Sequence, residues 1–478
     1  MVVGEFAEQR ELIIIGGGPG GYHAAIRAAR LGLQVTMIEQ EHLGGVCLNK
    51  GCVPSKVFAN AAKHLDEVKH LSSFGISAEN LSFQIHQLVS YKEQTMQQLR
   101  AGVENLCKTN KIEVIHGRAN FINEHRIGVE MEHRFELFEF KQAIISTGRS
   151  PILPNSLMGN PRIMTEQTIF NLNEVPEELV VYGTDYIALE AAFSYRKMGS
   201  KVSIVLNNRA DFPFDHAINR ELKRILKKEK IHVYREYQLK QVTPRGDRIL
   251  LQLTKHDNQL TLAGTHLYVE TNHQPNIDSL GIDQVGIQLS EAGFIAINQE
   301  MKTTIPSVFA IGDVTDGVAS AVKAMKQGKV AAEIAAGLSS EVDLTMIPTV
   351  VHSIPPIAVV GLTEQAAEQQ GYHVKTSQFG YVANSYATIS NQTDGIAKVI
   401  KDADSDLLLG FHTIGAGAIE LISTGVTALE LVGRDEDLSF PLYPHPSFNE
   451  TILEAIEGLT DKAIHIKPKN KPLDLANK

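Results

Sequence analysis

The pattern of apolar and polar positions changes period repeatedly along this chain. Residues 12–15 form an unbroken apolar run, followed by glycines and an alanine-rich stretch of helical spacing; a second apolar run at 34–38 ends in Glu39. Short apolar runs alternating with helical stretches predict strand–helix–strand units on a parallel sheet. The same opening recurs at 179–182 and 202–205, so two such units are expected, related at the scale of whole domains. Between them, 54–70 reads as a helix with Pro54 in its first turn. Residues 83–110 read as a long excursion helix, in which Cys107 packs as a small hydrophobe. Strands and helices alternate again from about 347, and the polar tail KPKNKPLDLANK is expected to fray.

The first turn has a mechanical reading. Gly16, Gly18 and Gly21 fit G-x-G-x-x-G between a strand and a helix. The first glycine makes the tight turn, the second lets backbone approach a pyrophosphate, and the third lets helix and strand pack closely. The helix N-terminus then offers unpaired N–H groups and partial positive charge to the phosphates. Glu39, closing the next strand, suits a ribose hydroxyl. The glycine pattern alone is weak; strand, helix and acid in their places make it specific.

Two cysteines, Cys47 and Cys52, lie in LGGVCLNKGCVPSK at 43–56. A C-x4-C pair is open to several readings: a structural bridge, part of a metal site, or two buried thiols. Only three cysteines are present, and no second pair completes a zinc site. No secretory signal precedes the first strand, which argues against a structural disulfide. Cysteines at a helix start have their thiolates favoured by its dipole, and Lys56 adds a cation in the same turn.

The run GGVCLNKGCVPSK resembles the active-site signature of the pyridine nucleotide-disulfide oxidoreductases, and of their dihydrolipoamide dehydrogenase (E3) branch in particular. The resemblance runs from about 12 to about 459. STGRSP at 146–151 is similar to the first exit from the family's FAD domain, TTIPSVFAIGDV at 303–314 to its second FAD motif, and VVGLTE at 359–364 to the opening of its interface domain. It implies an α/β fold: two Rossmann-like dinucleotide-binding domains, of FAD and NAD type, plus a C-terminal α+β dimerisation domain. The expected boundaries are 1–149 (FAD domain, first part), 150–275 (NAD type), 276–346 (FAD domain, second part) and 347–478 (interface). It further implies FAD held by Gly16, Gly18, Gly21, Glu39, Lys56, Ala119, Thr147, Gly148, Glu190, Asp313 and Ala321. Glu190 would pair with Lys56 beside the flavin, and Tyr186 would lie over its nicotinamide face. Cys47, as the more exposed thiol, would exchange with the substrate; Cys52 would lie against the flavin. His445 in HPSFNE would be the acid/base, oriented by Glu450 and reaching the other subunit of a homodimer. The substrate class is a small disulfide or dithiol of lipoyl type, and 2-oxo-acid dehydrogenase subunits are the implied partners.

The second turn departs from the family. Gly183 and Ala188 satisfy the ends of its pattern, but Asp185 stands where the middle glycine belongs. Its side chain obstructs a pyrophosphate, and a like-charge pair at about 4 Å costs roughly 4 kcal/mol at an effective dielectric of 20, about a thousandfold in affinity. The next strand ends in Leu206 instead of an acid. Asn207, Asn208 and Arg209 give little for a 2′-phosphate, and Asn272-His273-Gln274-Pro275-Asn276 lacks the glycine and arginine of G-R-x-P-N. NAD use is therefore expected to be weak or lost, the competing reading being a shifted loop that holds nucleotide differently. Smaller departures are Val322, Pro356 and Tyr443, in the substrate surroundings and interface. Two other function classes follow: an NADP-linked disulfide reductase or a flavin thiol oxidase, and a non-catalytic E3-like binding protein.

Composition adds exclusions. The 478 residues carry a net charge of −10, which disfavours nucleic acid and anionic membranes. No apolar run reaches membrane-spanning length. The N-terminal segment is too short and acidic for an export signal, so a reducing cytoplasm is expected, where an exchangeable disulfide is a catalytic device.

Overall fold

A computed structural model describes residues 7–77 and 80–467; the tail expected to fray lies, beyond Lys467, outside them. The first sheet has seven strands: Glu113–His116, Val35–Glu39, Glu8–Ile15 and Phe135–Ile145 run parallel, Arg126–Glu130 and Arg118–Asn123 continue antiparallel beside the start of the last, and Val308–Ala310 lies parallel along its end. Its central strand is buried on both faces, with Leu12, Ile13 and Ile14 fully enclosed, as a continuous apolar run in a parallel sheet requires. Ile15 pairs with Ile38 and with Ile145, and Ile145 with Ala310. This register brings the carboxyl ends of four strands to one edge, where open α/β sheets bind ligands. The helix Pro19–Arg30 leaves that edge and crosses Ala321–Ala335 so closely that a Cβ on Gly328 would stand 2.5 Å from the Gly20 carbonyl oxygen.

The cysteine helix spans Cys52–His70 and the excursion helix Ile85–Thr109, with Cys107 buried inside the latter's contact face. Phe58 of the cysteine helix packs against Phe170 and Tyr195 of the second unit, centroids 5.4 and 5.8 Å away.

That second unit repeats the parallel plan, in the order His232–Tyr234, Lys201–Val205, Glu178–Tyr182, His266–Val269, Ile163–Met164. An antiparallel three-stranded sheet, Gln238–Arg245, Arg248–Lys255 and Asn258–Gly264, is inserted before its fourth strand. The chain leaves the first unit through Arg149–Ile152 and returns through Asn272–Pro275, and these two strands pair antiparallel. The NHQPN run is this returning strand and its end.

From Thr349 onward a five-stranded antiparallel sheet forms, ordered Thr349–Val351, Ile357–Gly361, Leu408–Ile414, Ile396–Asp402, Val374–Gly380. Helices Ala418–Glu430 and Asn449–Glu457 bury their apolar faces on it. Among the described residues, no helix is long and apolar enough to cross a membrane.

Candidate active site

The first glycine turn lies at the shared sheet edge. Gly16 has φ +100°, and a Cβ there would stand 2.4 Å from the Ser146 carbonyl oxygen; one on Gly21 would stand 1.9 Å from the Gly16 oxygen. Both must be glycine for the chain to close. A Cβ on Gly18 meets only Gly45, at 3.8 Å, so its absence keeps space open in front of the helix. No side chain caps that helix, which leaves its N–H groups for an anion. Glu39 receives the Gly17 N–H on one oxygen and the Glu41 N–H on the other, each at 2.7 Å.

A cavity of about 440 Å³ opens there, and its walls include Gly16, Gly18, Glu39, Cys47, Cys52, Ala119, Thr147, Gly148, Tyr186, Asp313 and Ala321. Thr147 Oγ1 and Asp313 Oδ1 are buried without a partner among the described residues. Two orphaned polar atoms, an uncapped helix and a glycine cradle fit a ligand with a pyrophosphate and polar ring edges, which FAD is. Ser146 and Arg149 of the STGRSP run and His273 of the returning strand also face this space, as does Glu166, which carries no signal in the sequence. Glu166 accepts from His273 Nε2 at 2.9 Å. Their sequence distance, more than a hundred positions, leaves no local signal.

Cys52 is the first residue of its long helix, while Cys47 sits in the short helix Gly45–Asn49 one turn earlier. Both are thiols in this structure and both are half-buried. Exposure therefore does not single out Cys47 as the expectation held; ionisation separates the two instead. The hydrogen bond from the Cys47 thiol draws the Cys52 group down to about 7, burial opposes this, and Lys56 adds to it. Cys47 moves the other way, raised by the same hydrogen bond and by burial. The balance of these effects favours a negative charge on Cys52 over one on Cys47.

Lys56 Nζ donates to both oxygens of Glu190, at 2.8 and 3.0 Å, and the Glu190 side chain is fully buried. Glu190 also accepts the His352 N–H at 3.0 Å. The ion pair stands beside the cavity instead of on its wall: Lys56 Nζ lies 5.5 Å from the ring centroid of Tyr186, which is on the wall.

His445 Nδ1 is 2.8 Å from Glu450 Oε1, and the other Glu450 oxygen accepts the Ser447 N–H at 2.9 Å. Burial pushes Glu450 up, but His445 and Ser447 outweigh it and hold the carboxyl below its usual range. The His445 side chain is 72% exposed and does not line the cavity of its own chain. Phe440, Leu442, Leu431 and Val432 are exposed apolar side chains on the same C-terminal domain.

The second turn is closed by the chain itself. Asp185 caps the helix Tyr186–Met198, with Oδ1 accepting the Ala188 N–H at 2.6 Å and Oδ2 the Tyr268 hydroxyl at 2.7 Å. Glu270 takes the Thr184 N–H at 2.7 Å. The donors that would face a phosphate are occupied by two carboxylates. Burial raises the Asp185 carboxyl to about 7, against the pull of the Ala188 N–H and with repulsion from Glu270. Burial thus weakens the charge repulsion expected of Asp185, and the occupied N–H groups of the turn are the more direct obstruction. Leu206 is fully buried, and Asn207 and Asn208 turn the chain away with positive φ.

Comparison with known proteins agrees with this anatomy. The pyridine nucleotide-disulphide oxidoreductase family model matches residues 10–328 and its dimerisation-domain model 347–456. The dihydrolipoyl dehydrogenase of Geobacillus stearothermophilus is 38% identical, covering 98% of this chain and all of the relative; that of Bacillus subtilis is 36% identical, with the same shares. Among solved structures, LpdA of Mycobacterium tuberculosis superposes with a TM-score of 0.87 at 24% identity, covering 94% of this chain and 99% of the other. The HOCl-induced flavoprotein disulfide reductase RclA of Escherichia coli gives 0.84 at 24% identity, with the same shares. Those two establish the fold; the dimerisation domain and the full-length relatives establish a homodimer. The chain belongs to the pyridine nucleotide-disulphide oxidoreductases, as an FAD-dependent disulfide oxidoreductase of the dihydrolipoyl dehydrogenase type.

Proposed function

We propose that this protein exchanges a small dithiol of lipoyl type with its own Cys47–Cys52 disulfide, and that its use of NAD is weak or lost. The observation that carries the first half is the cysteine pair on the wall of a cavity shaped for FAD, with one thiol lowered and the other raised. FAD, when bound, supplies a two-electron acceptor beside the pair. The chain's residues do the rest. A substrate thiolate attacks Cys47 of the disulfide and Cys52 leaves as the thiolate held by Lys56; attack by the second substrate sulfur then releases Cys47, which takes up a proton. Lys56, fixed by Glu190, places positive charge beside the cavity. His445 of the partner subunit takes the protons of the substrate thiols and returns one to Cys47, with Glu450 setting its orientation.

The second half rests on Asp185 and Glu270 occupying the N–H groups of the second turn. Docking to a 2-oxo-acid dehydrogenase complex and residence in a reducing cytoplasm belong to the same reading. A binding protein without turnover would not need Cys47, Cys52, His445 and Glu450 together.

The test is an anaerobic visible spectrum of the purified holoprotein, titrated separately with dihydrolipoamide and with NADH. Dihydrolipoamide should change the flavin spectrum stoichiometrically, and NADH should act at least tenfold more weakly. Equal bleaching by NADH would remove the second half of the proposal; silence with dihydrolipoamide would remove the first.

A further inference from the structure

The helix Asn449–Glu457 carries a second histidine–carboxylate pair, one turn from the first. Glu454 Oε1 lies 2.6 Å from His465 Nδ1, and its other oxygen accepts the His465 N–H at 3.0 Å. The design matches His445–Glu450: in each pair one carboxylate oxygen holds Nδ1 and the other holds a backbone N–H. Glu450 and Glu454 are four residues apart, so they share a helix face. The Glu454 side chain is 9% exposed and the His465 side chain 63%. Each imidazole thus has Nδ1 engaged and Nε2 without a partner among the described residues. His465 also adds to the forces that hold Glu450 down.

Resting on the function proposed above, we infer that His465, oriented by Glu454, is a second proton acceptor that carries away the proton His445 collects during thiol–disulfide exchange. The chemistry demands an exit. A dithiol that reduces the Cys47–Cys52 disulfide forms one new S–S bond within itself and breaks the protein's. Two S–H protons leave the substrate and two electrons pass to the cysteines. Cys52 ends as thiolate and Cys47 as thiol, so one proton is retained and one must depart. His445 serves both substrate thiols in succession, and it must be cleared between them.

Other ionisable groups nearby are committed elsewhere or open to solvent. On the strand Ile396–Asp402, Lys398 is bound to Asp215 and Glu364, and Lys401 to Asp406 and Asp435. Asp402 accepts from Ser405, and Asp437 from the Arg434 N–H. Lys375, Glu436, Asp461, Lys462 and Lys467 are exposed, as is His216 across the adjoining groove. Glu457, on the same helix, is raised by burial and then by Glu454.

The experiment is the stopped-flow rate of anaerobic flavin reduction by dihydrolipoamide in the holoenzyme, measured across pH and buffer concentration, for wild type, His465→Gln and Glu454→Gln. Both variants should slow about tenfold below neutral pH, recover with added imidazole buffer, and match wild type at high pH. Unchanged rates in both variants, or a loss that neither buffer nor pH restores, would overturn the role of His465. His445→Gln is the control for the underlying reading: if it keeps the wild-type rate, that reading fails first and independently.

Discussion

At the scale of single residues, Asp185 decides the most. A glycine in its place would leave the Ala188 N–H free at the mouth of a helix; the aspartate instead spends both oxygens on Ala188 and Tyr268. Substitution by glycine should reopen the turn, and Leu206→Glu should return an acid to the end of the neighbouring strand. The Asp185→Gly/Leu206→Glu double variant is expected to gain NADH-driven flavin reduction by about a hundredfold or more, since the obstruction removed is worth roughly 3 kcal/mol. Unchanged NADH affinity would mean that the turn was never the obstacle. The cysteines make the opposite kind of point: both they and Lys56 are fixed by one local motif, and the partner that holds Lys56, Glu190, comes from 134 positions away.

At the scale of elements, the sequence spoke clearly wherever apolar periodicity and punctuation agreed. The turn at Gly16, the cysteine helix and the excursion helix stand within about two residues of their expected limits, whereas the first strand begins four residues earlier than expected, at Glu8. The inserted antiparallel sheet was not foreseen, because Gln238–Gly264 alternates polar and apolar residues without a motif to mark it. Ala119, Thr147, Gly148, Asp313 and Ala321 all face the cavity, while Glu166, His273 and Glu270 reach the sites only through tertiary contact. One such contact ties two elements from different units. Lys398, on a strand of the interface sheet, donates to both oxygens of Asp215, the cap of the helix His216–Lys228, at 2.9 and 3.0 Å. Burial pushes the Asp215 carboxyl up, yet the Lys398 hydrogen bond and two backbone N–H groups outweigh it and hold it low. A lowered carboxylate contributes stability above its unfolded pKa of about 3.9 that is lost as pH falls through its folded value. Lys398→Ala strands a buried carboxylate and should cost about 3–5 kcal/mol by chemical denaturation at pH 7. The deficit should shrink under acid, where the wild type also loses the pair; an equal deficit at pH 7 and pH 3 would contradict this account.

At the scale of the whole molecule, each chain separates its own parts. The cysteines line the cavity, whereas His445 stands exposed on the dimerisation domain. If each site combines cysteines from one copy with the histidine of the other, two dead homodimers can restore one another. Cys47→Ser and His445→Gln proteins, unfolded together and refolded in equal amounts, form about half mixed dimers. Each mixed dimer holds one complete site of two, so activity with dihydrolipoamide should return to about a quarter of wild type. No recovery, with mixed dimers demonstrated, would place all catalytic groups within one chain.

The paired strands Arg149–Ile152 and Asn272–Pro275 make the chain's exit and return neighbours. A unit joined to its host by so narrow a neck is, in evolutionary terms, a cassette. Its nucleotide turn can drift while the residues that face the host stay fixed: Phe170, Tyr195 and Glu190 against the cysteine helix and Asp215 against the interface sheet, contacts that a grafted counterpart must match along with the two seams. That modularity explains how an altered acceptor-side turn can coexist with an intact redox motif in one lineage. It also marks the neck as the natural splice point for giving this oxidoreductase a new electron outlet.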